Sequence, residues 1–583
     1  MRLSQASFVA AVLAVAALGC AAELATFPRS DMAFLVYAAE RVVDGARLYV
    51  DVVEINPPLI VAWNIPAVVL GRTLGVSDVL LLRLWDALAL LGALAFSAWA
   101  LGLALGSDQT GRRLLVVLLA FALFLGPGND YGQREHLLIA FALPYVFLAA
   151  GRIDGRKADP GPAFAAGVLA GTGLALKPHF FFLWAATEGF AVWRTRRTRP
   201  SPEAMGTIGF LTVYAGAAAL FTPDFFRMAL LLGPAYTGFG HYSFVTVLVT
   251  ARGVTESALA LLACFALYRH SRHPTLWLVI AIALLASFMA GAAQLKGWSY
   301  HFLPARVFAS LLLALAVVDV RRAPANMVQR LYASIAFAAV GAGLFWATSM
   351  GFVRILHRDP ARQYEQAQLN QLVAAVRRHV PAGGSLYVFS YTIGSSFPLV
   401  NESGVRWASR FPHLWIIEAA YHDQLNRAPP LRWHTAAEMK PAERYLNDAV
   451  AKDLARYRPD VVMVLRHARD LPENSLRRID YLGYFRRDPR IAEQLGLYRW
   501  AEGVGQYDLY VRVASEAAPG RSAVSSPGEH DVLRSSTTGG AALLADRTLL
   551  LRFLFFLLLV GSGLAGVPRW TQRELDSTGQ EPG

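Results

Sequence analysis

Carboxylates and cations in this sequence gather where long apolar segments begin and end. Asp31 follows the first apolar segment, and Asp51 and Glu54 stand just before the Pro57-Pro58-Leu59 return to apolar sequence. An ionisable group at a bilayer boundary is costly, which makes it a candidate functional residue. A carboxylate that loses hydration there is a better proton acceptor, so Asp31 indicates proton abstraction.

Asp31 has a second interpretation, because Asp and Ser are preferred at helix N-caps. Asp31 to Asp44 carries apolar residues at roughly helical spacing, so Ser30 or Asp31 fits the cap of a helix lying in the membrane interface. The apolar setting and the second acidic pair, Asp51 and Glu54, favour a functional role.

A second polar group runs from Asn129 to His136 and enters an apolar segment. Arg134, Glu135 and His136 would lie at membrane depth, where each needs a partner. The alternative is an ordinary capped helix start with an Arg134–Glu135 surface pair. The density of polar residues favours the wall of a binding site.

A third group, Lys296 with Tyr300 and His301, lies in a short loop between apolar segments. A lysine can neutralise a lipid phosphate, while aromatic rings can stack on sugars or anchor at the interface. An aromatic belt with a snorkelling lysine is the alternative. Lys177 and His179 interrupt another apolar segment, where Lys177 would reach a phosphate or a carboxylate.

The elements that must position these groups are membrane-spanning helices. The 583-residue chain is 55% hydrophobic and 17% charged, and apolar runs near the ~20 residues that cross a bilayer recur along it. We therefore predict a polytopic α-helical membrane protein with about 12 spans, at 7–27, 79–105, 112–127, 134–150, 162–177, 179–193, 206–222, 254–269, 275–293, 304–320, 331–350 and 547–567.

The net charge of +13 does not indicate nucleic-acid binding, because the cations lie in short loops between apolar runs. Arginine clusters occur in every second loop, which is typical of the cytoplasmic side; they are at 112–113, 152–157, 194–199, 269–272 and 321–322. The termini are then cytoplasmic and the three polar groups lie outside. Cys20 and Cys264 lie in separate apolar segments, which argues against a disulfide.

The domain organisation follows from changes in composition. Residues 1–350 form the predicted transmembrane bundle, with a first outer loop at 28–78. Residues 351–513 alternate helical and strand patterns, which indicates an outer α/β domain with a partly parallel sheet. A flexible tether at 514–546 and a last span with its tail at 547–583 follow.

The first 90 residues resemble a known family. Asp31 after the first span, an apolar-aromatic helix, Gly45-Ala46-Arg47-Leu48-Tyr49-Val50-Asp51 and Glu54-x-x-Pro57-Pro58-Leu59 are similar to the GT-C glycosyltransferases. The similarity is to the branch of the lipid A aminoarabinose transferases and the protein O-mannosyltransferases. In that superfamily the first outer loop carries the catalytic acid.

The resemblance implies a transferase in the bacterial inner membrane that uses a polyprenyl-phosphate sugar and acts on a glycan, lipid or protein acceptor. Asp31 matches the catalytic acid and Glu54 the acid before Pro-Pro-Leu. Asp51 and the second and third polar groups are then expected to contact substrate. The family often has Asp-Glu where this chain has Asp31-Met32, so a divalent metal ion stays open as a cofactor.

Two other functions fit parts of the pattern. A transporter or lipid flippase also uses buried charges and broken helices, but it predicts internal repeats and charges near the membrane midplane. Neither is visible in the sequence. A non-catalytic membrane assembly protein would keep its function after Asp31→Asn substitution.

Overall fold

The computed structural model describes residues 4–250, 253–320, 327–425, 431–467 and 479–513. The predicted tether at 514–546 and the last span at 547–567 with its tail lie outside the described residues. The arginine pair at 321–322 lies outside them as well. The structure is mostly helical, with a small sheet near the C-terminal end of the described chain.

The bundle is made of apolar helices joined by short loops. Seven helical segments of the described chain are long and apolar enough to cross a membrane, and three shorter apolar helices accompany them. The helices of this part are α1 (Gln5–Leu24), α2 (Ser30–Val43), α3 (Leu59–Leu74), α4 (Asp78–Leu105), α5 (Gln109–Phe124), α6 (Arg134–Ile153), α7 (Pro160–Leu176), α8 (Phe181–Thr195), α9 (Pro202–Phe221), α10 (Asp224–Gly238), α11 (Phe244–Thr250), α12 (Val254–Leu267), α13 (Pro274–Ala292), α14 (Leu303–Val320) and α15 (Met327–Ile355).

Each predicted span in the described residues coincides with a helix to within a few residues. The exact number of spans and the orientation stay predictions. The segment 223–253 was predicted only as a connection between the spans 206–222 and 254–269, and the structure shows that it contains the two helices α10 and α11. α10 even accommodates Pro234 in its interior.

The segment 28–78, predicted as the first outer loop, contains two helices, and the apolar spacing predicted the first of them. α2 buries Phe34, Val36 and Ala38, and α3 begins directly after Pro58. α3 ends at Gly75, whose positive φ of 68° suits a residue without a Cβ. α2 packs against α3 and α4.

The C-terminal part is a mixed α/β unit. Its strand order is β2-β1-β3-β5-β4, in which β1 pairs in parallel with β2 and β3, while β5 pairs antiparallel with β3 and β4. Its elements are α16 (Pro360–His379), β1 (Ser385–Phe389), α17 (Leu399–Ser403), β2 (Arg406–Trp407), α18 (Trp415–Leu425), α19 (Pro441–Tyr457), β3 (Val461–Leu465), α20 (Tyr481–Phe485), α21 (Pro489–Leu495), β4 (Tyr498–Val504) and β5 (Tyr507–Arg512).

This α/β unit packs on the first outer loop. The Phe397 ring lies 5.3 Å from that of Phe34 on α2, and the Asn401 side chain donates to the Ala33 carbonyl at 3.3 Å. The amide of Val53 donates to the Arg410 carbonyl at 2.7 Å. The loop that carries Asp31 and Glu54 is therefore held between the bundle and the α/β unit.

Candidate active site

A buried ion pair between two helices is at the centre of the candidate site. Lys177 Nζ lies 2.9 Å from Glu135 Oε1, and the two side chains are 5% and 0% exposed. Lys177 ends α7 because Pro178 follows it, and the residue before a proline is disfavoured in helical backbone. Glu135 lies in the first turn of α6. Lys177, at the break in this apolar segment, therefore contacts a carboxylate, which is one of the two partners that the sequence predicted for it.

His301 and Tyr300 complete this centre. The Nε2 atom of His301 lies 3.7 Å from Glu135 Oε1, and Lys177 Nζ lies 5.9 Å from the centroid of the Tyr300 ring. Glu135 Oε2 and both ring nitrogens of His301 are buried without a hydrogen-bond partner among the described residues. An unsatisfied buried polar atom costs about 1–3 kcal/mol, so these atoms are suited to a polar ligand or water.

Asp31 and Arg134 border the same centre. Gln133 Nε2 donates to Asp31 Oδ2 at 3.4 Å, and Asp31 interacts electrostatically with Arg134, Lys177 and Tyr300. Arg134 is buried, and its Nε atom has no hydrogen-bond partner in the described structure. We call Asp31, Arg134, Glu135, Lys177, Tyr300 and His301 the charged cluster.

The cap interpretation of Asp31 is not what the structure shows. α2 begins at Ser30 with Arg29 at its N-cap position, and no side chain caps it by a hydrogen bond. Asp31 is half-buried in the first turn, where the positive end of the helix dipole favours a carboxylate. Its side chain is oriented toward Gln133 rather than engaged with its own helix end.

Lys296 lies beside the charged cluster inside a cage of aromatic rings. Its Nζ is 4.0 Å from the ring centroid of Tyr236 and 5.3 Å from those of Phe239 and Trp298. The ammonium donates to the backbone carbonyls of Tyr236, at 2.9 Å, and Phe239. Burial lowers the pKa of Lys296 to about 8, although Glu418 opposes the shift. Lys296 is thus buried and bonded rather than snorkelling.

Glu54 supports the backbone of its own loop. Its Oε1 accepts from the amides of Ile55 and Asn56, both at 2.8 Å, and from the Asn56 side chain. Tyr236, whose ring contacts Lys296, also interacts electrostatically with Glu54 and Asp31. Burial raises the pKa of the Tyr236 hydroxyl above its usual range, and Glu54 and Asp31 add to that shift.

Two further predicted residues are engaged away from the charged cluster. Asp51 accepts from the amide of Arg47 at 2.9 Å and lies 3.9 Å from the guanidinium of Arg456 on α19. His136 accepts at Nδ1 from the Gly132 amide at 3.1 Å, and its Nε2 lies 2.8 Å from the Leu123 carbonyl. The structure does not bring either into the cluster, and their roles in substrate binding stay predictions.

Some contacts correct or extend the sequence analysis. Arg83 and Asp86 of α4, whose i, i+3 spacing would allow a mutual pair, take other partners: Arg83 pairs with Glu23 at 3.5 Å and Asp86 accepts from Trp63 Nε1 at 2.8 Å. The aromatic cage residues Tyr236 and Phe239 were missed because they lie in the segment interpreted as a loop. Among the described residues, no group of His, Cys, Asp and Glu side chains is placed to hold a metal ion.

Comparisons with known proteins place the fold. No family model matches the chain, and no curated protein sequence matches it. The crystal structure of ArnT from Cupriavidus metallidurans bound to undecaprenyl phosphate is similar over 89% of this chain and 100% of its own, at 11% identity and a TM-score of 0.52. The arabinofuranosyltransferase AftD from mycobacteria, solved by cryo-electron microscopy, is similar over 88% of this chain and 40% of its own, at 15% identity and a TM-score of 0.44. The likeness to ArnT shows a shared fold, which is the fold expected from the resemblance to the GT-C glycosyltransferases.

Proposed function

We propose that this protein transfers a sugar from a polyprenyl-phosphate donor to an acceptor hydroxyl at the extracytoplasmic face of the bacterial inner membrane. The observation that carries the proposal is the charged cluster, in which two carboxylates, two cations and unsatisfied buried polar atoms converge at one end of the bundle. The fold shared with ArnT, whose structure contains undecaprenyl phosphate, supports the choice of donor class.

The cations of the cluster have a clear task in this reaction. As the bond between the anomeric carbon and the phosphate oxygen breaks, negative charge develops on the leaving phosphate. Arg134 and Lys177 stabilise that charge, and stabilisation by preorganised charges is usually the largest catalytic contribution. Glu135 holds Lys177 in place and favours its ionised form, whereas burial favours the neutral amine.

Asp31 is the proposed base. The acceptor oxygen attacks the anomeric carbon from the side opposite to the phosphate, its proton passes to Asp31, and polyprenyl phosphate leaves, so the configuration inverts. The aspartate is half-buried beside Arg134, close enough to the cations to share a substrate with them. Glu54 is a positioning residue that fixes the loop between Asp51 and Pro58 through its three hydrogen bonds.

The test is release of polyprenyl phosphate by purified protein. A panel of radiolabelled polyprenyl-phosphate sugars is supplied with a membrane extract as the source of acceptors, and the freed lipid phosphate is separated and counted. We expect release from one member of the panel by wild type, and at least a hundred-fold slower release by Asp31→Asn, because general-base catalysis contributes about 10²–10⁴-fold.

Asp44→Asn is the matched control. Asp44 follows the last residue of α2 and forms an ion pair with Arg72 away from the cluster, so this variant removes the same charge from the same helix without touching the site. Wild-type turnover by Asp31→Asn, with thermal unfolding unchanged, would refute the assignment of the base. Release from no donor of the panel would refute the proposed reaction.

A further inference from the structure

A second charged region lies at the opposite end of the bundle. A cavity of about 660 Å³ opens where α6 and α8 end and where α7 and α9 begin. Arg152 on α6 lines it, and lies about 27 Å along that helix from Arg134 at a rise of about 1.5 Å per residue. The cavity is therefore separate from the charged cluster. The distribution of arginines in the loops assigns its end of the bundle to the cytoplasm.

The floor of this cavity is a compact ion-pair network. Arg152 Nη1 lies 2.9 Å from Glu203 Oε1, and Arg152 Nη2 pairs with Glu188. The hydroxyl of Tyr145 donates to Glu188 at 2.6 Å. Both carboxylates of the cavity are thus already engaged with a cation.

The rim of the cavity carries five more cations from two separate loops: Arg156, Lys157, Arg196, Arg197 and Arg199. Arg156 donates to the Leu103 carbonyl. Within the described residues, no carboxylate pairs with any of the other four. With six cations and two neutralised carboxylates around one cavity, the site attracts a multiply charged anion.

A basic loop on the cytoplasmic side needs no ligand to explain it, since such loops set membrane orientation. The loop with Arg269 and Arg272 fits that description, because its arginines are exposed and line no part of this cavity. Orientation does not require two loops to converge on a concave surface with an ion-paired floor. That convergence is the feature that indicates a ligand.

Part of the wall of the same cavity is apolar. Leu103, Leu148 and Val192 line it together with the cations. Beyond it, Trp193 on α8 and Met205 on α9 expose 56% and 48% of their surface, as expected for residues that face lipid. A ligand that fills the site therefore needs an anionic head and an apolar tail.

We propose that this cavity binds the phosphate headgroup of an anionic phospholipid from the cytoplasmic leaflet. The rim arginines hold the phosphate oxygens, and the acyl chains lie along the outward faces of α8 and α9. Basic pockets between transmembrane helices on the cytoplasmic side are suited to such headgroups. This inference is independent of the proposed transferase activity.

The experiment measures lipid binding to the full-length protein in neutral detergent. Diphosphatidylglycerol is titrated against wild type, the variant Arg197→Gln with Arg199→Gln, and the control Arg269→Gln with Arg272→Gln. Bound lipid is counted by native mass spectrometry, and the lipid-induced shift of the thermal midpoint is recorded in parallel. Phosphatidylcholine serves as the lipid whose zwitterionic headgroup has no net charge, and inorganic pyrophosphate serves as the anion without a lipid.

We expect the rim variant to bind diphosphatidylglycerol about thirty-fold more weakly than wild type, at about 1 kcal/mol for each arginine removed. The control variant, which loses the same charge from the same side, should bind as wild type does. Equal loss in both variants, or equal binding of phosphatidylcholine, would overturn the proposal. Pyrophosphate binding that matches diphosphatidylglycerol would assign the site to a soluble phosphate and overturn the lipid.

Discussion

The contribution of the Glu135–Lys177 ion pair to stability can be distinguished from its contribution to turnover by replacing each partner separately and then both together. In Glu135→Gln, Lys177 loses its counter-charge while Arg134 still repels it. Breaking a buried pair on one side costs about 3–5 kcal/mol, and the 5% and 0% exposure of these side chains places them in that class. Lys177→Met should cost less, because Glu135 keeps Arg134 as a neighbouring cation.

The double variant Glu135→Gln with Lys177→Met should recover most of the lost stability. Replacement of both charges leaves no uncompensated group, so its free energy of unfolding should lie within about 1–2 kcal/mol of wild type. Turnover should not recover, because Lys177 is proposed to stabilise the leaving phosphate. The double variant would then regain stability relative to Glu135→Gln without regaining turnover.

The assay is denaturant unfolding in mild detergent, followed by tryptophan fluorescence, with donor turnover measured on the same preparations. Asp44→Asn shows how much stability is lost when an exposed ion pair is broken, for comparison with the buried pair. Asp44 and Arg72 are 42% and 33% exposed, and such pairs contribute about 0–1 kcal/mol to the free energy of unfolding. Additive effects of Glu135→Gln and Lys177→Met would show that the two side chains are not coupled and would refute this reasoning. A double variant that regains turnover would remove Lys177 from the proposed mechanism.

Two further predictions concern stability. Burial lowers the pKa of Lys296 to about 8, so the folded protein releases that proton at lower pH than the unfolded chain does. The buried charge therefore destabilises the fold at neutral pH, and the free energy of unfolding rises between about pH 8 and about pH 10. Denaturant titrations across this range should show that rise in wild type and not in Lys296→Met; parallel curves would contradict it. Gly206→Ala should destabilise by about 1–3 kcal/mol, because a Cβ would overlap the Phe164 carbonyl on α7. Gly209→Ala on the same helix meets open space, and alanine is the better helix former, so this variant should be at least as stable as wild type. Equal effects of the two alanines would show that α7 and α9 do not pack closely at Gly206.

Helices and strands that are bounded by prolines or formed by continuous apolar runs could be predicted well from the sequence. The sequence predicts a helix at 441–457, which begins at Pro441, and a strand at 461–465, which is a short apolar run after Pro459. α19 and β3 have those bounds. The helices of the bundle follow from apolar runs in the same way. β4 was missed because it is an edge strand with partly exposed residues and no clear alternation.

α10 shows where this kind of reasoning fails. Pro223, Pro234 and the glycines near Gly240 favour a loop in an isolated sequence. In the folded chain α10 packs against α18 of the α/β unit, and tertiary packing outweighs the cost of an internal proline. Because this helix was not predicted, the aromatic cage around Lys296 was not predicted either, although the loop that contains Lys296 was identified.

The composition of the candidate site could be predicted, but its pairing could not. Residue types and positions identified Asp31, Glu135, Lys177 and His301 separately, because each interrupts or borders an apolar segment. Which of them meet depends on how four separate segments pack, and no spacing along the chain contains that information. The sequence therefore favoured Lys296 as the main phosphate ligand, whereas the packing leaves that ammonium bonded to two carbonyls and brings Lys177 to Glu135.

The α/β unit helps to fix the position of Asp31, the proposed base. Asp31 lies on a 14-residue helix, α2, whose Ala33 carbonyl and Phe34 ring contact Asn401 and Phe397 of that unit. A helix this short is only marginally stable by itself, so its orientation depends on the two surfaces that hold it. The α/β unit thus positions the carboxylate relative to Arg134 without contributing a residue to the charged cluster. An Asn401→Ala variant should therefore slow turnover through the placement of Asp31, and a donor affinity equal to that of wild type would separate this effect from loss of the phosphate site.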